Sequence, residues 1–177
     1  MNVICFGDSN TYGYDPRSYL GGRYDPDSRW VDILAVETGW SVCNMGQNGR
    51  EIPSAAPAFP ADTDLLIVML GTNDLLQGRS PEQAAERLER FLSGIPLDRS
   101  KILVIAPLPV KRGAWVPDQQ LIDDSRTFAR LCQALAEQLG IRFDDAGKWD
   151  IPLAYDGVHF TEQGHRAFAA GLLEELK

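Results

Sequence analysis

Val3-Ile4-Cys5-Phe6-Gly7-Asp8-Ser9-Asn10 is the stretch on which the reading of this chain turns. Four consecutive apolar residues run straight into a glycine turn that continues with Asp, Ser and Asn. A continuous apolar run, ended by a turn signal rather than alternating with polar residues, is the pattern of a strand buried on both faces of a parallel sheet. The same punctuation recurs downstream. The run 40–45 is followed by Gly46-Gln47-Asn48-Gly49, and the run 65–70 by Gly71-Thr72-Asn73-Asp74. A fourth run covers 102–106, and a weaker fifth 141–144.

Helical patterns separate these runs. Residues 28–38 carry Trp30, Ile33 and Leu34 on one stripe and stop at Gly39. Ser80-Pro81 opens a second helix, with proline at the first helical position and Leu88, Phe91, Leu92 and Ile95 at helical spacing. A third spans about 118–139, with Phe128, Leu131, Cys132, Leu135 and Leu139 inward and Gly140 as its stop. The last follows Thr161, a good N-cap, and places Ala169, Leu172, Leu173 and Leu176 on one face. Strand and helix alternating in this way predict an α/β fold, a doubly wound five-stranded parallel sheet in three α/β/α layers. No linker or repeat divides the chain, so residues 1–177 read as one domain. Such sheets bind ligands at the carboxyl ends of their strands. The turns at Gly7, Gly46 and Gly71 are therefore expected on one rim, within reach of Asp156-Gly157-Val158-His159.

Bulk properties narrow the partners. Seventeen basic and 25 acidic residues give a formal net charge of −8, which repels phosphate backbones and anionic headgroups, so neither nucleic acid nor membrane is expected. The run at 3–6 is too short for a signal sequence or a membrane span. Cys5, Cys43 and Cys132 are odd in number and each lies in an apolar segment. That reads as three reduced, buried thiols and a cytoplasmic location. No metal-ligand spacing occurs, and neither metal nor cofactor is expected.

The rim residues form a parts list for acyl transfer. A serine hydroxyl is a weak nucleophile at neutral pH and needs a neighbouring base. The chain has only two histidines, His159 and His165. His159 follows Asp156 by three residues, close enough for one loop to lay the carboxylate against the ring and fix its tautomer. Ser9 sits between a glycine turn and the next helix, where backbone N–H groups can point at a developing oxyanion. Gly46, which lacks a Cβ, can bring another N–H close to substrate, and Asn73 can add a side-chain N–H.

These residues also carry a family resemblance. Gly7-Asp8-Ser9-Asn10, Gly46, Gly71-Thr72-Asn73-Asp74 and Asp156-Gly157-Val158-His159 resemble, in order and spacing, the four blocks of the SGNH (GDSL-type) hydrolases. The resemblance spans nearly the whole chain. It implies a flavodoxin-like SGNH hydrolase fold and hydrolysis of esters or thioesters. It implies Ser9 as nucleophile, His159 as base, Asp156 as orienter, and Ser9, Gly46 and Asn73 as the oxyanion hole. Through Thr11-Tyr12-Gly13, Arg29-Trp30, Leu70 and Phe160-Thr161-Glu162 the chain is most similar to the arylesterase/acyltransferase branch. Asn10 stands where many members have leucine, a departure expected to touch specificity more than mechanism. The G-x-S-x-G elbow of α/β-hydrolases is absent.

A small-molecule ester of short acyl chain is therefore the expected substrate, with water or another alcohol as acceptor. Acetylated sugars and acyl thioesters suit the same machinery. Two other classes are weighed against it. Phosphoryl transfer through Asp8 would need a paired-aspartate or P-loop pattern that is missing, and a non-catalytic binding module would be expected to lack one of the catalytic positions. Asp8, Asn10, Tyr12, Leu76, Trp115, Val158 and Phe160 are candidate substrate contacts, each equally a candidate for the core or a turn network. Asp74 is a candidate support for Asn73, and His165 a surface or packing residue. Residues 14–28 form a long polar connection that reads equally as a functional loop or a mobile one. Residues 107–117, with Lys111, Arg112 and Trp115, are a candidate lid or contact surface; an exposed Trp115 would suit a subunit interface, which leaves a homo-oligomer open.

Overall fold

The computed structural model describes residues 1–18 and 20–177. Five parallel strands, β1 (Asn2–Gly7), β2 (Ser41–Gly46), β3 (Leu65–Met69), β4 (Ile102–Ala106) and β5 (Arg142–Asp145), form one sheet in the order β2-β1-β3-β4-β5. Strand order reverses between β1 and β3, where the doubly wound rule expects a ligand site.

Side chains alternate across each strand and so feed two separate cores. Ile4, Phe6, Leu66 and Val68 pack on one face under α4 (Pro81–Ser93) and α5 (Gln119–Leu139), against Leu88, Phe91, Phe128 and Cys132. Val3, Cys5, Leu65 and Ile67 pack on the other, under α2 (Trp30–Thr38) and α6 (Glu162–Glu175), against Trp30, Leu34, Phe168 and Leu172. Two short helices, α1 (Ser9–Tyr12) and α3 (Thr72–Leu76), sit at the carboxyl rim directly after β1 and β3.

Helix ends follow the sequence signals. Ser80 and Gln83 form a reciprocal capping box at α4, and Thr161 accepts the Gly164 N–H at 2.9 Å to start α6. The α2 start differs from expectation: Pro26–Ser28 make a separate 3₁₀ turn and Arg29 is extended, so the helix proper begins at Trp30. The segment around β2 also differs. Its place at the sheet edge leaves Ser41 and Cys43 exposed, so Cys43 is not the buried thiol its apolar surroundings suggested, while Cys5 and Cys132 are buried. Among the described residues no helix is long and apolar enough to cross a membrane.

Candidate active site

Ser9 opens α1, immediately past the carboxyl end of β1. Asp8 caps this helix, its Oδ1 accepting the Asn10 N–H at 3.0 Å. At the first helical position the Ser9 N–H has no carbonyl of a preceding turn to receive it. Among the described residues no non-glycine has positive φ, so the nucleophile candidate is presented without backbone strain. His159 lies in the loop before α6, 150 residues away in sequence, yet Ser9 Oγ and His159 Nε2 are 2.9 Å apart. His159 Nδ1 lies 2.7 Å from Asp156 Oδ2, while Asp156 Oδ1 accepts the backbone N–H groups of Val158 and His159, both at 2.9 Å. Ser9, His159 and Asp156 are 5%, 3% and 0% exposed.

Burial alone would raise the Asp156 carboxyl pKa. Hydrogen bonds from the His159 ring and from the His159 and Val158 backbone outweigh it, and the carboxyl is held below its ordinary value. The contact with Nδ1 favours the proton there, leaving Nε2 free to accept from Ser9 Oγ.

The loop carrying Asp156 is tightly held. Lys111 N–H donates to Gly157 O at 2.9 Å, Ala114 N–H to Tyr155 O at 3.1 Å and Trp115 N–H to Asp156 O at 3.0 Å. A Cβ on Gly157, whose φ is +80°, would fall 2.0 Å from Lys111 O. The 107–117 segment is thus a brace for the Asp156 loop. It carries Trp115, 49% exposed, to 5.0 Å from the imidazole in an edge-on arrangement.

Tyr14 also packs against the imidazole, with ring centroids 4.7 Å apart, a residue that sequence reasoning did not single out. Tyr14 belongs to the 14–28 connection, and the described part of that connection is anchored to the base loop. Tyr155 Oη donates to Pro16 O at 3.0 Å, Tyr24 Oη to Phe160 O at 3.4 Å, and Arg17 pairs with Glu162.

Two of the oxyanion candidates, Asn73 and Gly46, have protein partners. Asn73 Nδ2 donates to Arg50 O at 3.1 Å, which fixes the amide orientation, and lies 3.5 Å from Asp8 Oδ2. Gly46 N–H donates to Asn44 Oδ1 at 2.9 Å, and Asn44 Nδ2 in turn donates to Thr11 O at 2.9 Å. The missing Cβ of Gly46 makes room for protein rather than substrate: a Cβ there would lie 2.1 Å from Tyr12 N. Arg50, also unforeseen, sits over the Phe6 ring at 4.2 Å and donates to Gly7 O at 3.0 Å and to Met45 O, tying the ends of β1 and β2 together.

Several candidate contacts have other duties. Phe160 is core, packed on Phe168 at 5.4 Å between centroids. Val158 and the partly buried Leu76 join Val110, Val116 and Ile122 in a small satellite core. Tyr12 lies beneath the Arg23 guanidinium at 4.4 Å. Asp8 is a buried cap whose pKa burial pushes up to about 6, against the pull of the Asn10 N–H, His159 and Arg50. Asn10 faces the base loop, not the cleft: its Oδ1 accepts the Phe160 N–H at 2.9 Å and its Nδ2 donates to Val158 O at 3.2 Å. Asp74 does not support Asn73. It accepts the Ile52 N–H at 2.8 Å and pairs with Arg87 at 2.9 Å and Arg79 at 3.4 Å. His165 is fully buried between the edges of Tyr24 and Phe160. A groove of about 830 Å³ between α2 and α6, lined by Ile33, Val36, Arg166 and Leu173, contains none of these rim residues.

A doubly wound sheet whose carboxyl rim brings a buried Ser, His and Asp into one hydrogen-bonded relay has the arrangement of the serine-hydrolase class of α/β proteins. The chain belongs to the GDSL-like lipase/acylhydrolase family, whose model matches residues 5–167. No curated protein matches it. Among solved structures, an inhibitor-bound aryl esterase of M. smegmatis is 28% identical with a TM-score of 0.83, over 99% of this chain and 97% of that one. A putative arylesterase of Agrobacterium tumefaciens is 30% identical, with a TM-score of 0.81 and the same coverage. A carbohydrate acetylesterase family member of Sinorhizobium meliloti is 26% identical, with a TM-score of 0.81 over 99% and 96%. The protein is an esterase-type hydrolase with the SGNH fold.

Proposed function

We propose that the protein hydrolyses small carboxylic esters of short acyl chain through an acyl-Ser9 intermediate. The observation that carries this reading is the buried relay from Ser9 Oγ to His159 Nε2 at 2.9 Å and from His159 Nδ1 to Asp156 Oδ2 at 2.7 Å. Ser9 Oγ attacks the ester carbonyl carbon while its proton passes to His159 Nε2, and Asp156 stabilises the imidazolium. The carbonyl π electrons move to oxygen, which meets the Ser9 N–H and the Asn73 amide. Gly46 N–H joins them by exchanging its bond to Asn44. Collapse expels the alkoxide, which takes the proton from His159, and water then repeats the sequence on the acyl-enzyme. Another alcohol in place of water gives acyl transfer with the same residues.

The leaving alcohol must depart beside His159 Nε2, and so beside Tyr14 and the half-exposed Trp115. Aromatic surfaces there favour a ring-shaped alcohol portion, aryl or sugar. That agrees with the aryl esterase and carbohydrate acetylesterase among the similar structures. All three cysteines are free, which suits a cytoplasmic enzyme, and the chain acts as one domain.

Turnover of p-nitrophenyl acetate should exceed that of the butyrate and octanoate esters. Ser9→Ala should lower kcat by about 10⁴–10⁶-fold, and intact-mass analysis should find one acyl or phosphonyl adduct, on Ser9. Undiminished turnover in that variant refutes the reading.

A further inference from the structure

We infer that Asn10 is a positioning residue: its side-chain amide clamps the two residues flanking His159 to the nucleophile's own helix and so sets the Ser9–His159 distance. The role presupposes the serine-hydrolase reading above.

Asn10 follows Ser9 in α1 and is buried. Its Oδ1 accepts from Phe160 N at 2.9 Å and its Nδ2 donates to Val158 O at 3.2 Å. One amide group therefore meets the peptide groups on either side of His159, as a residue of a neighbouring parallel strand would. The orientation is fixed by chemistry, because the flipped amide would set oxygen against oxygen and N–H against N–H.

The clamp is itself anchored at both backbone ends. Asn10 N–H donates to Asp8 Oδ1 at 3.0 Å, and Asn10 O accepts from Trp30 Nε1 at 2.9 Å. Backbone N–H, backbone O, Oδ1 and Nδ2 of the residue thus each have a protein partner. Trp30 reaches this point from α2, in the layer beneath the rim, which gives the Arg29-Trp30 pair a link to the site.

Ser9 and His159 are 150 positions apart, with β2, β3, β4 and β5 between them, so their 2.9 Å contact needs a local constraint. Asp156 orients the imidazole within its own loop, its carboxylate bonds going to Val158 and His159. Asn10 is the side chain that joins the two elements on both flanks of the base. A leucine in its place would fill similar volume while leaving Phe160 N–H and Val158 O without partners in a buried setting. The base loop would relax away from Ser9.

The test uses the full chain with p-nitrophenyl acetate. Asn10→Leu, and Asn10→Ser as a smaller variant that leaves room for water, should each lower kcat by about 10²-fold, the cost of a displacement of about 1 Å, with KM within about threefold. Fluorophosphonate labelling of Ser9 should slow in parallel. In a His159→Ala background the same substitutions should cost nothing further, since the residue acts through that imidazole. Leu88→Ala, a core truncation in α4 remote from the rim, should lower the melting temperature while sparing kcat.

Folded Asn10 variants with kcat within threefold of wild type overturn the clamp, as does an equal loss in the His159→Ala background. Failure of wild-type Ser9 to label at all instead overturns the serine-hydrolase reading on which it rests.

Discussion

Gly46→Ala separates two reasons for a glycine at the end of β2. If the position matters because substrate must approach the backbone, alanine should chiefly raise KM. The structure gives a different reason. A Cβ at Gly46 would sit 2.1 Å from Tyr12 N and 2.6 Å from the Thr11 carbonyl carbon, where ordinary contact begins at 3.4 Å. Both neighbours are backbone of α1 and cannot rotate away. Strand and helix must therefore part by about 1 Å, and α1 is a single turn with Ser9 at its head. A shift of that size is worth about 10²-fold in rate, or roughly 2.7 kcal/mol of barrier, with overpacking adding about 1–3 kcal/mol of lost stability. The assay is kcat and KM for p-nitrophenyl acetate alongside thermal unfolding. Gly49→Ala is the control: its φ is +71° but, among the described residues, nothing lies within 4 Å of an added Cβ. It should cost only the left-handed penalty of about 1–2 kcal/mol and keep its turnover. A folded Gly46→Ala protein with kcat within threefold of wild type would refute the reasoning.

Asp156→Asn should lower kcat by about 10⁴-fold, because an amide that still accepts the Val158 and His159 N–H groups presents its NH₂ to the ring and drives the proton to Nε2. A loss under tenfold contradicts the assigned tautomer. His165 should make wild type acid-labile. Burial lowers its pKa from 6.5 to about 3, and neither ring nitrogen has a hydrogen-bond partner among the described residues. The unfolded chain therefore takes up the proton first, and stability present above pH 6.5 is lost as pH falls toward 3, at about 1.4 kcal/mol per pH unit. Urea titrations should show a flatter dependence for His165→Phe, and an unchanged slope would count against the burial argument. Asp8 runs the other way. Its pKa, raised from 3.8 to about 6, makes its ionisation in the folded chain a cost that vanishes as pH falls from 6 to 3.8. Asp8→Asn should gain up to about 3 kcal/mol on wild type above pH 6 and nothing below pH 4; an equal gain at both ends would refute this.

The fold was legible because strand burial and turn chemistry coincide. Apolar runs ending in Gly7, Gly46 and Gly71 mark the carboxyl rim directly, and Gly39 and Gly140 mark helix stops that the structure realises in the left-handed conformation. What local pattern could not carry was lateral position in the sheet. Nothing in Ser41-Val42-Cys43 says that its strand is an edge, so the exposure of Cys43 went unread. The α2 start, expected at 28, falls at Trp30 because Ser28 closes a separate 3₁₀ turn from Pro26 and Arg29 is extended, which side-chain periodicity alone does not mark.

Within the candidate site, sequence exposed the groups with distinctive chemistry and hid those that act through ordinary contacts. Ser9, His159 and Asp156 stand out because few residue types do their work. Tyr14 and Arg50 carry no such mark, for an aromatic or a cation is informative only once its neighbours are known. The same asymmetry leaves Asn10 and Phe160 open in sequence between substrate contact and support, because they adjoin catalytic candidates. In the structure, adjacency means support. Phe160 roots the base loop in the α6 core, Asn10 joins that loop to α1, and the 107–117 segment braces it from the far side through Gly157. Three restraints from three elements converge on one imidazole. The 2.9 Å contact between groups 150 residues apart is sustained because each neighbouring peptide group of His159 is itself held.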